Sequence, residues 1–152
     1  MVEDMVAQCA QRILDVTPIV MRAIRGQMRS HRATGLSVTH FRALVFMDRR
    51  PGSTLSALAE HLGLSAATVS KMVEKLVEAG LVRREASPND RRRTPLCLTA
   101  RGQSVMEAAR RGTLVWLSTQ VSGLGPIQRD TVVRAMGSLH RLFGDYQSEA
   151  AS

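Results

Sequence analysis

The chain has 152 residues, enough for one domain with a substantial core. Hydrophobic residues make up 44% of it but aromatics only 3%, so the core must come from Leu, Val, Ala, Met and Ile, which suits packed helices better than a β-sandwich. The net charge is +8, only Lys71 and Lys75 of the 21 basic residues are lysine, and no apolar run reaches the ~18 residues of a transmembrane helix.

The amino-terminal MVEDMVAQ is acidic and lacks the basic-then-apolar layout of a signal peptide, so a cytoplasmic location is expected, with no membrane partner. Residues 4–30 place Val6, Cys9, Ala10, Ile13, Val20, Ala23, Ile24 and Met28 at helical spacing. Pro18 falls inside this helix, which either kinks there or restarts with Thr17 as its cap. After a break at RATG, Ser37 caps a second helix carrying Val38, Phe41, Leu44, Val45 and Met47, which ends before Pro51-Gly52.

Ser56 is expected to open a short third helix with Leu58, Ala59 and Leu62 facing inward, stopped at Gly63. Ser65 caps a fourth, whose Val69, Met72, Val73, Leu76 and Val77 form a continuous apolar stripe, and Gly80 ends it. Two helices joined by a short turn at Gly63-Leu64 have the layout of a helix-turn-helix. LVRREA and TPLCLT then read as two strands around the turn-rich SPNDRR, with Pro95 confining the second strand to an edge. Cys97 alternates away from Leu96 and Leu98 and is expected to face solvent. Thr99 caps a long fifth helix, GLGP breaks it, and a sixth helix repeats Val132, Met136, Leu139, Phe143 and Tyr146 as a narrow seam suited to packing on another helix or chain.

The fold class is therefore mainly α with a small β-wing (α+β): a winged helix-turn-helix between terminal helices. In such a fold the second helix of the motif enters the DNA major groove. Ser65, Ala67, Thr68, Ser70, Lys71 and Lys75 occupy its cap and outward face, where small and hydroxyl side chains allow close approach to base edges and lysines reach guanine or phosphate. The wing carries Arg91, Arg92 and Arg93 beside Asp90. An arginine suits a narrow minor groove, its neighbours suit phosphates, and the carboxylate suits orienting a guanidinium.

NDRRRTPLCLTARG resembles the wing signature of the multiple antibiotic resistance regulator (MarR) family, Asp-x-Arg followed by Leu-Thr-x-x-Gly. The matching residues here are Asp90, Arg92, Leu98, Thr99 and Gly102. TLSALAEHLGLSAATVSKMVEKLVEAGLVRR and SVTHFRAL resemble the same family, over roughly residues 10–145. The resemblance implies a transcription regulator, expected to repress, that binds a pseudo-palindromic duplex as a homodimer. It also implies that Arg92 is the minor-groove arginine and Asp90 its partner. Residues 1–34 and 101–147 would form the dimerisation region, 35–100 the DNA-binding domain with recognition helix 65–79 and wing 87–94, and 148–152 a tail. Many family members are released by small aromatic or phenolic ligands, and the corresponding lining here is Met28, Arg32, His40, Met47 and Trp116.

Two alternatives stay open. One is a thiol-based redox sensor using Cys9 or Cys97. However, Cys9 lies about one turn before the family's peroxide-sensing cysteine, where this chain has Ile13, and it reads as a buried small apolar residue. The other is a winged-helix protein-interaction module without DNA binding. No nucleophile–base pair, phosphate loop or metal-ligand spacing emerges, so neither an enzyme nor a bound cofactor or metal is expected.

Overall fold

The computed structural model describes residues 2–30, 35–85 and 94–144. Six helices and two strands follow in the order α1 (Val2–Ser30), α2 (Val38–Arg49), α3 (Leu55–Leu62), α4 (Ala66–Glu78), β1 (Val82–Arg84), β2 (Leu96–Leu98), α5 (Ala100–Val121) and α6 (Pro126–Phe143). α1 runs through Pro18 as one 29-residue helix rather than restarting at Thr17.

The core lies where α2, α3, α4, the sheet and the first half of α5 meet, around Leu44, Met47, Leu58, Val69, Val73, Val82 and Leu96. Met28, near the end of α1, joins the same cluster. α5 buries only Gly102, Met106 and Ala109, all in its first half, and α6 buries none of its residues. α6 therefore leaves its apolar residues exposed.

Hydroxyl caps set the helix starts. The Ser37 hydroxyl accepts the His40 N–H at 3.2 Å while the His40 Nδ1 accepts the Ser37 N–H at 3.4 Å, a reciprocal capping box. α3 starts at Leu55, because Thr54 and not Ser56 is its cap: Thr54 has extended backbone and its Oγ1 accepts the Ala57 N–H at 3.2 Å.

As Pro95 requires, β2 is an edge strand of a two-stranded sheet. β1 pairs with β2 antiparallel, Val82 opposite Leu98 and Arg84 opposite Leu96, while Ser53 bridges Leu96 from the other side. Pro95 precedes the strand, so its missing N–H interrupts no ladder bond, and the Ser53 bridge is an isolated one at Leu96. Cys97 is buried, at 9% exposure, and not solvent-facing as its alternation suggested. Conversely, Cys9 is exposed on α1, not buried. Val77, at 37% exposed, falls outside the α4 stripe, which closes with Leu76.

Candidate nucleic-acid interface

α3 and α4 form the helix-turn-helix. Gly63 adopts a left-handed φ of 67° that a side chain would resist, and its N–H and that of Leu64 return to the Glu60 and Ala59 carbonyls at 3.1 Å. The chain reverses within two residues, and Ser65 at once caps α4, its Oγ accepting the Thr68 N–H at 3.2 Å. The two hydroxyls also bond each other at 2.8 Å, so Ser65 and Thr68 form one rigid polar corner at the start of the helix.

With Val69, Met72, Val73 and Leu76 buried, Ser65, Ala67, Thr68, Lys71 and Lys75 are exposed and Ser70 is half-buried. The structure brings these six sequence-predicted residues together on one face. It carries no side chain larger than alanine or threonine for its first turn, followed by two lysines. Asp90, Arg91, Arg92 and Arg93 lie outside the described residues.

The wing root is described and its anchorage is tight. The Thr99 hydroxyl donates to the Gly80 carbonyl at 2.6 Å and accepts the Gly102 N–H at 2.9 Å, tying the end of α4 to the start of α5. The Thr99 N–H donates to the Leu81 carbonyl at 3.1 Å. A Cβ on Gly102 would fall on that Leu81 oxygen and 2.9 Å from its carbonyl carbon, so only glycine allows α5 to approach β1 this closely. Thr99 and Gly102 thus have a structural reason to stand three residues apart.

Two features were not read from sequence. The first is a groove lined by Thr54, Ser56, Ser70, Arg84, Thr94 and Leu96, between the start of α3, the side of α4 and the wing root. Strand alternation was the available signal, since it puts Arg84 on the same face as buried Val82. The second is a cluster at the ends of α2 and α3. His61 stacks on Phe46 with ring centroids 4.5 Å apart, Arg50 sits 5.5 Å over the same ring, and Arg42 donates to the His61 carbonyl at 3.2 Å.

Burial holds the His61 imidazole below its usual value of 6.5, and Arg42, Arg50 and Arg49 add to the shift. Burial, and then Lys75, depress His40 in the same direction. The unfolded chain therefore takes up protons at these histidines at a higher pH than the folded chain does. Their contribution to stability is complete above 6.5 and is lost as pH falls below it. Thermal unfolding followed by circular dichroism is expected to show a lower midpoint at about pH 5 than at about pH 7.5. His61→Gln should flatten that dependence, and an unchanged slope would show that His61 carries none of it.

Of the residues proposed to line a ligand site, Met28 and Met47 are buried in the core, Trp116 is half-buried on α5, and Arg32 lies outside the described residues. The His40 Nδ1 is occupied by the α2 cap. The described groove lies at α3, α4 and the wing root, not between α1, α2 and α5. Among the described residues no cluster of three or more His, Cys, Asp or Glu could hold a metal, and no helix is long and apolar enough to cross a membrane.

The MarR family model matches residues 34–93, which span α2, the helix-turn-helix and β1. Over that segment the chain is similar to the MarR family. The chain is 33% identical over 75 residues to an HTH-type transcriptional repressor of Mycobacterium bovis, covering 49% of this chain and 54% of that protein. It thus spans about half the length of the curated relatives it matches first. Among solved structures, a Mycobacterium tuberculosis protein superposes with a TM-score of 0.77 at 24% identity, over 91% of this chain and 94% of that one. The transcriptional repressor CouR, bound to a 23-mer DNA duplex, superposes with a TM-score of 0.68 at 22% identity, over 87% and 94%. These likenesses show a shared fold that takes in the terminal helices.

Proposed function

We propose that this chain is a cytoplasmic, homodimeric transcription repressor of the MarR type, with α4 in the major groove and the wing in the minor groove of a pseudo-palindromic duplex. The observation that carries this reading is the α4 face: Ser65, Ala67, Thr68, Ser70, Lys71 and Lys75 on a rigidly capped helix, beside a wing bearing three arginines. Small side chains admit the helix to base edges, and cations face the backbone. A relative named a repressor and a neighbour bound to duplex DNA support it. Within the wing, Arg92 is assigned to the minor groove with Asp90 orienting it, and Arg91 and Arg93 to phosphates.

A small aromatic or phenolic effector is proposed to release the protein from DNA through Met28, Arg32, His40, Met47 and Trp116. The support is positional: Met28 of α1 and Met47 of α2 belong to the core on which the helix-turn-helix is built, and Trp116 is half-buried on α5. An effector that spreads those helices would alter the spacing of the two α4 helices in the dimer.

Selection of bound duplexes from random DNA tests the central reading. A two-fold symmetric site with half-sites about one helical turn apart is expected. Affinity should fall roughly 10³–10⁵-fold between about 50 and 200 mM salt if the dimer makes about 6–10 phosphate contacts. Arg92→Ala should weaken binding by about ten-fold or more, most on sites with A·T-rich flanks. Recovery of no symmetric site would overturn the assignment.

A further inference from the structure

We propose that the groove between α3, α4 and the wing root holds one backbone phosphate of the bound duplex, gripped by Arg84. The proposal rests on the DNA-binding reading above and adds a contact outside both the α4 face and the wing tip.

The geometry begins with strand register. Val82 and Arg84 alternate onto the core face of β1, opposite Leu98 and Leu96. Val82 is buried, whereas Arg84 stands where the core ends and is exposed. Its neighbour Arg83, on the other face, is neutralised by Glu85 at 2.6 Å. Among the described residues Arg84 has no ion pair. Arg84 lines a groove whose other polar side chains, among the described residues, are the hydroxyls of Thr54, Ser56, Ser70 and Thr94. The Thr54 hydroxyl is occupied by the α3 cap, and Ser70 makes only a long bond of 3.4 Å to Glu74. No carboxylate is among the described residues that line the groove, and Leu55 and Leu96 supply its apolar lining.

One guanidinium and several hydroxyl donors beside an apolar lining match a tetrahedral oxyanion. The planar fork can donate two parallel bonds to phosphate oxygens, and the hydroxyls can donate to the others. The location selects a backbone phosphate over a base edge. The groove lies between the helix proposed to enter the major groove and the wing proposed to enter the adjacent minor groove. What separates those two grooves on a duplex is a phosphodiester strand. A phosphate held there fixes the register of α4 on the DNA without reading sequence.

The test is a binding titration of the full chain across salt, on the selected duplex and on a scrambled duplex of equal length. Arg84→Ala is expected to weaken both complexes by a similar factor of about ten or more. It should also reduce the slope of log affinity against log salt by about one. Arg84→Lys should keep the slope while still losing affinity, because it retains the charge but not the fork. Arg84 is exposed, so the thermal midpoint should not move. Arg84→Ala curves that overlay wild type on both duplexes, while Arg92→Ala binding is lost, would overturn this proposal alone. So would a loss confined to the selected duplex, which would mark a base contact. Wild-type protein that bound neither duplex would overturn the DNA-binding reading itself.

Discussion

Replacing Gly102 by alanine is expected to destabilise the protein by about 3 kcal/mol, even though alanine is the better helix former. The propensity gain inside α5 is at most about 1 kcal/mol. Against it stands a methyl group placed on the Leu81 carbonyl oxygen and 2.9 Å from its carbon. That carbonyl cannot move aside cheaply, because it accepts the Thr99 N–H at 3.1 Å and Leu81 itself is buried. Relief requires α5 to lift from β1, which would stretch the Thr99 bond to Gly80 and open the core around Met106. For a chain of this size the unfolding midpoint should fall by roughly 6–12 °C. A midpoint equal to or above wild type would show that α5 has room the structure does not provide.

The second large effect concerns assembly. α6 buries none of its residues, yet it carries Ile127, Val133 and Leu142 at 84%, 69% and 68% exposure, with Met136 and Phe143 more than half exposed. α1 adds Met5, Val6 and Leu14, and the second half of α5 adds Leu114 and Val115. Apolar surface on this scale marks a binding interface, and a second copy is the proposed occupant. Burying a Met or Phe side chain is worth about 1.5–3 kcal/mol, and two-fold symmetry counts each residue twice. The double substitution Met136→Glu with Phe143→Glu also places four carboxylates in the interface. Sedimentation should then show a dimer for wild type and a monomer for the variant at micromolar concentration. DNA affinity should fall with dimerisation, because a half-site alone supplies half the contacts. A variant that sediments as wild type would remove α6 from the interface, and a monomeric wild type would remove the dimer.

Much of the fold was legible because its signals are local. Ser37, Ser65 and Thr99 cap helices where their spacing to the following apolar residues requires it, and Gly63 and Gly80 end helices by adopting positive φ. The errors arose where the deciding contact comes from elsewhere in the chain. Alternation assigned Cys97 to solvent, but successive residues Leu96 and Cys97 are both buried, so both faces of β2 are covered there. Thr54 displaced Ser56 as the α3 cap because the preceding residue, Ser53, is already extended and bridged to Leu96.

The candidate site divides in the same way. Sequence alone determined which residues form the outward face of α4, since a 3.6-residue period leaves only one side for Thr68, Lys71 and Lys75 once Val69, Met72, Val73 and Leu76 are inside. It also determined the arginine density of the wing. It did not determine that Arg84 differs from Arg83. Both are arginines in one short strand, and only the antiparallel register and the approach of α3 and α4 leave one paired with Glu85 and the other in a hydroxyl-lined groove. Nor did it show why glycine stands at position 102. The Leu81 carbonyl that excludes a side chain there is 21 residues away along the chain and is brought into contact by tertiary packing.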